Sequence, residues 1–129
     1  MKTILFVCVH NSGRSQTAAA YLNRLAGDKA RAISAGTEPS ESVNLTVAKA
    51  MAEEGIDISK NKPTLLTREM MQKADRVITM GCTDAGSCPV HLVPMDDWGL
   101  PDPKGKSLET VRRIRDNIKQ RVIGLIDSL

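Results

Sequence analysis

The sequence predicts an α/β fold: a single three-layer domain, with a central parallel four-stranded sheet and helices on both faces. Two observations lead to this prediction. Short segments rich in β-branched and other apolar residues alternate with segments whose apolar residues recur at helical spacing, and glycine or proline falls between them. The length of 129 residues is near the commonest size of one domain, so we expect residues 1–129 to fold as one unit.

Strands and helices alternate along the whole chain. In order, the predicted elements are a strand at 3–8, a helix at 15–26, a strand at 30–35, a helix around 43–51, a short helix at 67–73, a strand at 75–80, a strand at 90–93 and a helix from 108 to 129. Gly27 and Gly55 are expected to end the first two helices, and Ser107 to cap the last one. Ligands of such sheets bind beyond the carboxyl ends of the strands, where Cys8 and Cys82 lie.

Composition excludes several classes of function. Eighteen Lys and Arg residues against fifteen Asp and Glu residues give a net charge of +3, with the two signs interspersed and aromatic residues at only 2%. Binding to nucleic acid is therefore not expected. The longest apolar stretch, residues 4–9, is far shorter than the roughly 20 residues that span a bilayer, and His10 and Arg14 follow it where a secretory signal would be cleaved. We expect a cytoplasmic monomer that binds no membrane.

The chain has an odd number of cysteines, the three residues Cys8, Cys82 and Cys88. In a reducing compartment this number argues against a framework of structural disulfides. On composition alone, the three would be small buried hydrophobic residues. Their neighbours in the sequence favour a chemical role instead.

An eight-residue segment between the first strand and the first helix has the pattern C-x5-R-S. Its residues are Cys8, Val9, His10, Asn11, Ser12, Gly13, Arg14 and Ser15. The N–H groups of such a loop converge on one point, and the helix N-terminus and an arginine add positive charge, so the loop is predicted to bind an oxyanion.

Each residue of this loop has an expected part in the site. The positive field favours the thiolate form of Cys8, the nucleophile, and Ser15 can donate a hydrogen bond to its sulfur. Asn11 and Gly13 suit the positive φ angles of a tight loop. The N–H groups of residues 9–14 and the Arg14 fork would hold the anion. The alternative is an ordinary strand-to-helix turn with a buried cysteine and a surface arginine.

With this loop near its N-terminus, the sequence resembles the low-molecular-weight tyrosine phosphatase fold family, whose signature is C-x5-R-[ST]. The resemblance extends to a Ser34-Ala35-Gly36 turn and to the pair Asp102-Pro103. It implies that Asp102 is the general acid that protonates the departing oxygen. From the residues alone, an aspartate in a proline-rich loop is also typical of a turn.

Two classes of enzyme share this loop, because phosphate and arsenate are similar tetrahedral oxyanions. A tyrosine phosphatase, acting through a Cys8 phosphocysteine, needs aromatic walls, and the phosphatases of the family usually place a tyrosine directly after Asp-Pro. Here Lys104 follows. With Phe6 expected to be buried, only Trp98 is left as a possible wall.

The segment with Cys82 and Cys88, followed by a W-G-x-x-D-P stretch, resembles thioredoxin-coupled arsenate reductases. The resemblance implies a relay in which Cys8 attacks arsenate, Cys82 then attacks Cys8 and releases arsenite, and Cys88 takes over the disulfide for reduction by thioredoxin. Arsenate and thioredoxin are then the expected partners, and no bound cofactor is expected. A non-enzymatic anion sensor on the same fold is a further alternative.

No metal ion is expected. Zinc ligation by Cys82, Cys88 and His91 lacks the paired spacing of common zinc sites. Some of the similar reductases hold a potassium ion near the loop. Of the four positions of that site, Asn11 and Ser34 are present here, but the two acidic positions correspond to Ala19 and Thr64.

Overall fold

The computed structural model describes residues 1–80 and 95–129, with only the backbone of Met95 described. Its elements are β1 (Lys2–Cys8), α1 (Arg14–Leu25), β2 (Ala30–Gly36), α2 (Leu45–Ala52), α3 (Arg68–Lys73), β3 (Arg76–Thr79), β4 (Met95–Asp97) and α4 (Leu108–Ser128). The strands form one sheet in the order β2-β1-β3-β4, and every pair is parallel. The predicted fold class is confirmed.

The central strand β1 separates two layers of hydrophobic side chains. Ile4, Phe6 and Cys8 face one cluster, which α1, α2 and α4 cover. Leu5 and Val7 face the other, smaller cluster, which α3 covers with Met71 and Ala74. Because successive side chains of a strand point to opposite faces, a continuous apolar run can be buried on both sides, as the sequence predicts for this strand.

The helix ends have the local signals expected from the sequence. Gly27, just beyond α1, has a φ of 57°, and Gly55, beyond α2, has a φ of 75°. The Ser107 side chain caps α4 by accepting a hydrogen bond from the Thr110 N–H. These predictions are confirmed, and they follow from the ease with which glycine adopts the left-handed region and serine accepts at an N-cap.

The strand β4 spans Met95–Asp97, a segment that was not predicted to form a strand. The strand predicted at residues 90–93 lies outside the described residues. An edge strand is buried less than a central one and needs no apolar run. Its polar side chains find partners on β3: Asp96 pairs with Arg76 at 2.7 Å, and Asp97 accepts a hydrogen bond from Thr79 at 3.0 Å.

Parallel pairing places the carboxyl ends of the strands at one edge of the sheet. Cys8 at the end of β1 pairs with Gly36 at the end of β2. A Cβ atom at Gly36 would lie 2.6 Å from the Val9 carbonyl oxygen, so this glycine allows the loop after β1 to lie against β2. Among the described helices, none is long and apolar enough to span a membrane.

Candidate active site

The candidate nucleophile, Cys8, is the last residue of the central strand and is 2% exposed. Its Sγ lies 2.9 Å from the Ser15 Oγ and receives a hydrogen bond of 3.2 Å from the Asn11 N–H. Both groups can donate to a sulfur that carries negative charge. These contacts favour the thiolate, which is the nucleophilic form of cysteine.

The loop carbonyls all bond to groups outside the loop or on the following helix. The carbonyl oxygens of Val9, His10, Ser12 and Gly13 accept hydrogen bonds from the backbone N–H groups of Glu38, Ser40, Asn44 and Thr17, respectively, at 2.8 to 3.0 Å. The Asn11 carbonyl accepts one from the Gln16 Nε2 at 3.1 Å. In a trans peptide the N–H points opposite to the carbonyl, and the chain has no cis peptide bond. The N–H groups of residues 10–14 therefore face away from these partners. That of Asn11 bonds the Cys8 sulfur, and the others can bind an oxyanion.

Asn11 is the centre of the loop's hydrogen bonding. It is fully buried and has a φ of 50°, which confirms the positive angle expected there. Its Oδ1 accepts a hydrogen bond from the Thr64 N–H at 2.8 Å, and its Nδ2 donates to the Ser15 Oγ at 2.7 Å. A backbone N–H can only donate, so the Thr64 contact fixes which end of the Asn11 amide faces Ser15.

Gly13 differs from its prediction, because its φ is −142°, not positive. The position requires glycine for a different reason. A Cβ atom there would lie 2.7 Å from the Cγ of Pro103. The missing side chain thus allows the loop that carries Asp102 to pack directly on the anion-binding loop.

The Arg14 side chain lies between the two loops and is almost completely buried, although it begins α1. Its Nη1 donates to the Leu100 carbonyl at 2.9 Å, and its Nη2 lies 4.0 Å from Asp102 Oδ2. The bond to the Leu100 carbonyl and the long ion pair with Asp102 do not use all the N–H groups of the guanidinium. Its other N–H groups can therefore bind anion oxygens, as an arginine fork does elsewhere.

The contacts of Asp102 fit both roles that the sequence left open for it, that of a turn former and that of a general acid. Its Oδ1 accepts a hydrogen bond from the Lys104 N–H at 3.0 Å, which is the turn expected of an aspartate in such a loop. Its Oδ2 lies on the Arg14 side, and the side chain is 47% exposed. The carboxyl group is thus held beside Arg14 at the site, where it could reach the leaving oxygen of a bound anion.

All three aromatic residues of the chain are used in packing. Phe6 is fully buried, as the sequence predicts, and Tyr21 is 2% exposed. The Trp98 ring packs against Phe6 with the ring centroids 5.6 Å apart, and the Arg121 guanidinium lies 5.9 Å from its centroid. These contacts place Trp98 in the packing of α4, and the chain has no further aromatic residue to form a wall for a phenyl ring.

The positions that correspond to the potassium site of similar reductases lack its acidic side chains. Ala19 has no side-chain oxygen, and the Oδ1 of Asn11 already accepts hydrogen bonds from the Thr64 N–H and, at 3.3 Å, from Gln16. Two N–H donors leave no lone pair for a cation. Within residues 1–80 and 95–129, no three His, Cys, Asp or Glu side chains come close enough to hold a metal ion.

The structure brings together the loop from Cys8 to Ser15 and Asp102, but it does not place every predicted site residue. Cys82, Cys88 and His91 lie outside the described residues. His10 lies on the outer side of the loop, where its Nδ1 is 3.1 Å from the Glu38 carbonyl. Sequence reasoning missed Gln16 and the contact of Pro103 with Gly13, because neither side chain carries reactive chemistry and both contacts depend on the folded chain.

Comparison with known proteins agrees with this geometry. The profile of the low molecular weight phosphotyrosine protein phosphatase family matches residues 3–129. Arsenate reductase 1 of Staphylococcus epidermidis is 41% identical over 124 residues, covering 94% of this chain and 92% of that protein. Arsenate reductase 1 of Bacillus cereus is 40% identical over 124 residues, covering 94% and 91%.

A solved structure gives the same relationship. The thioredoxin-dependent arsenate reductase of Corynebacterium glutamicum has a TM-score of 0.83 and 36% identity to this chain, and the match covers 99% of this chain and 61% of that one. The chain therefore belongs to the low molecular weight phosphotyrosine protein phosphatase family and, within it, is similar to arsenate reductases.

Proposed function

We propose that the protein reduces arsenate to arsenite, with Cys8 as the nucleophile and thioredoxin as the electron donor. The observation that carries the proposal is an oxyanion site around the Cys8 sulfur in a chain whose aromatic residues are all engaged in packing: Phe6 and Tyr21 are buried, and Trp98 packs against Phe6. Relatives named arsenate reductases at about 40% identity over nearly the whole chain support it. A relative described as thioredoxin-dependent supports the choice of donor.

The first step is attack on arsenic. The Cys8 thiolate forms a bond to the arsenic of arsenate, and an As–O bond breaks as Asp102 donates a proton to the leaving oxygen, which departs as water. The Arg14 guanidinium and the loop N–H groups hold the remaining oxygens. Ser15 and the Asn11 N–H stabilise the charge on sulfur before attack. The product is a thioester of arsenic(V) on Cys8.

The second step reduces arsenic. The Cys82 thiolate attacks the Cys8 sulfur, the S–As bond breaks, and its electron pair goes to arsenic, which leaves as arsenite. A Cys8–Cys82 disulfide remains. Cys88 then attacks the Cys82 sulfur, which frees Cys8 as a thiolate and leaves a Cys82–Cys88 disulfide. Two electrons from the dithiol of thioredoxin reduce this bond, and no bound cofactor is needed.

The relay is tested by arsenite production with thioredoxin, thioredoxin reductase and NADPH. We expect no arsenite from Cys8→Ser or Cys82→Ser. Cys88→Ser should release about one equivalent and stop with a Cys8–Cys82 disulfide, which peptide mapping under non-reducing conditions detects. Sustained turnover by Cys88→Ser would refute the third step of the relay.

One observation favours a second candidate, hydrolysis of phosphate monoesters. The anion loop and Asp102 would equally serve a Cys8 phosphocysteine intermediate, and the matching family is one of phosphatases. Rapid hydrolysis of p-nitrophenyl phosphate without arsenite production would favour this activity. Binding of arsenate with neither reaction would indicate the anion sensor.

A further inference from the structure

We infer that Gln16 is a positioning residue for the nucleophile: it holds Asn11 in the orientation that allows Ser15 to donate its hydroxyl proton to Cys8. Gln16 lies in the first turn of α1 and is 5% exposed. It touches neither the sulfur nor the space for the anion, so it acts only through Asn11. No catalytic part was expected for it from the sequence.

The Gln16 side chain contacts both oxygen atoms of Asn11. Its Nε2 lies 3.1 Å from the Asn11 backbone carbonyl and 3.3 Å from Asn11 Oδ1. An amide NH2 group has two hydrogens, so it can bond both oxygens. Asn61 donates to the Gln16 Oε1 at 3.2 Å, which fixes the amide with its NH2 group towards Asn11.

This arrangement determines the direction of every hydrogen bond as far as the sulfur. With its Oδ1 held by N–H donors, Asn11 must present its Nδ2 to Ser15. The Ser15 oxygen then accepts one bond, and the single hydroxyl hydrogen is free to point at Cys8 Sγ. A chain of hydrogen bonds aligned in one direction stabilises negative charge at its end.

Gln16 also holds the backbone of Asn11. Even for asparagine, which tolerates the left-handed region best after glycine, this conformation is kept by the groups that hold it. The Asn11 N–H, which bonds the sulfur at 3.2 Å, is directed by that same backbone conformation. Loss of Gln16 would therefore weaken both hydrogen bonds to the thiolate.

The inference depends on Cys8 being the nucleophile of the proposed reaction, but its test needs no arsenate. In a chain with Cys82→Ser and Cys88→Ser, the ultraviolet absorbance of the thiolate reports Cys8 alone. We expect Gln16→Met, which has similar length but no hydrogen bond, to move the midpoint of this titration to higher pH by about half a unit to one unit. An unchanged midpoint would overturn the inference, whichever oxyanion the enzyme uses.

A matched control separates this effect from general destabilisation. Asn23 lies on the same helix and lines the same surface depression of about 390 Å³ as Gln16. Its side chain makes two hydrogen bonds to the Ala32 backbone, at 3.1 and 2.8 Å, and none to the loop. Asn23→Ala should lower the melting temperature and leave the midpoint unchanged.

If Gln16→Met does not fold, Asn61→Ala gives the decision. Asn61 is exposed, so the variant should fold, and it removes only the bond that orients the Gln16 amide. A midpoint shifted to higher pH supports the inference. A midpoint equal to that of the parent chain rejects it.

Discussion

The Cγ atom of Pro103 lies 2.7 Å from the position that a Cβ atom would take on Gly13. Two loops far apart in the sequence thus pack together because Gly13 has no side chain. One carries the Cys8 nucleophile, and the other carries Asp102 directly before the proline. The distance from Arg14 Nη2 to Asp102 Oδ2, 4.0 Å, depends on this packing.

Gly13→Ala should therefore separate the two loops and slow catalysis. The proline is buried and cannot move without displacing Asp102. A displacement of about 1 Å in a catalytic group can cost up to about a hundredfold in rate, so we expect kcat for arsenite production to fall about tenfold to a hundredfold. The measurement is steady-state arsenite production with thioredoxin as donor.

Gly124→Ala is the matched control for this prediction. Gly124 lies within α4, and a Cβ atom there would meet nothing within 4 Å. Alanine is the better helix former, so this variant should melt at a slightly higher temperature with kcat unchanged. Equal kcat values for Gly13→Ala and the parent chain would mean that the Pro103 contact does not position the acid.

Asp102→Asn should separate the effect of proton donation on catalysis from the effect of the turn on structure. The asparagine Oδ1 can still accept the hydrogen bond from the Lys104 N–H, so the loop keeps its conformation. The side chain can no longer supply a proton to the leaving oxygen. We expect kcat to fall about a hundredfold or more with the melting temperature nearly unchanged. A variant with kcat near that of the parent chain would remove Asp102 from the mechanism.

Arg14→Lys should weaken the binding of the anion. Lysine keeps the charge but loses the planar fork and the geometry of the bond to the Leu100 carbonyl. Hydrogen bonds to charged groups are worth enough that we expect inorganic phosphate to bind about tenfold to a hundredfold more weakly. Isothermal titration with phosphate measures this without turnover. Unchanged affinity would show that the loop N–H groups alone hold the anion.

The sequence predicts the parts of this site that depend on local pattern. A strand, a C-x5-R-S loop and a helix are adjacent in the chain, and the geometry of an oxyanion site follows from their succession. The positive φ of Asn11 follows in the same way. Local sequence also predicts the turn at Asp102, because aspartate bonds the backbone two residues on.

The features of the site that the sequence does not predict depend on contacts between residues distant in the chain. The Thr64 N–H that orients Asn11 is 53 positions away, and the carbonyl that binds Arg14 is 86 positions away. Each is a backbone group, so no residue type in the sequence marks it. Gly13 shows the same limit. The sequence predicts a positive φ angle as the reason for a glycine at this position, whereas in the structure the reason is the close approach of Pro103.

A cluster of charges between α2 and α4 makes the stability of the fold dependent on pH. Hydrogen bonds from Arg112 and Arg115 lower the pKa of Glu53 from 4.5 to about 2. A carboxyl group whose pKa is lower in the folded state stabilises the fold above its ordinary pKa, and this contribution is lost as the pH falls through the folded value. The melting temperature of Glu53→Gln should thus lie below that of the parent chain at pH 7, and this difference should disappear between pH 4.5 and about 2.

The control is Glu109→Gln, which breaks one exposed pair with Arg113 and should show almost no gap in melting temperature from the parent chain at any pH. A gap for Glu53→Gln that persists at pH 2 would mean that packing, not charge, stabilises this contact.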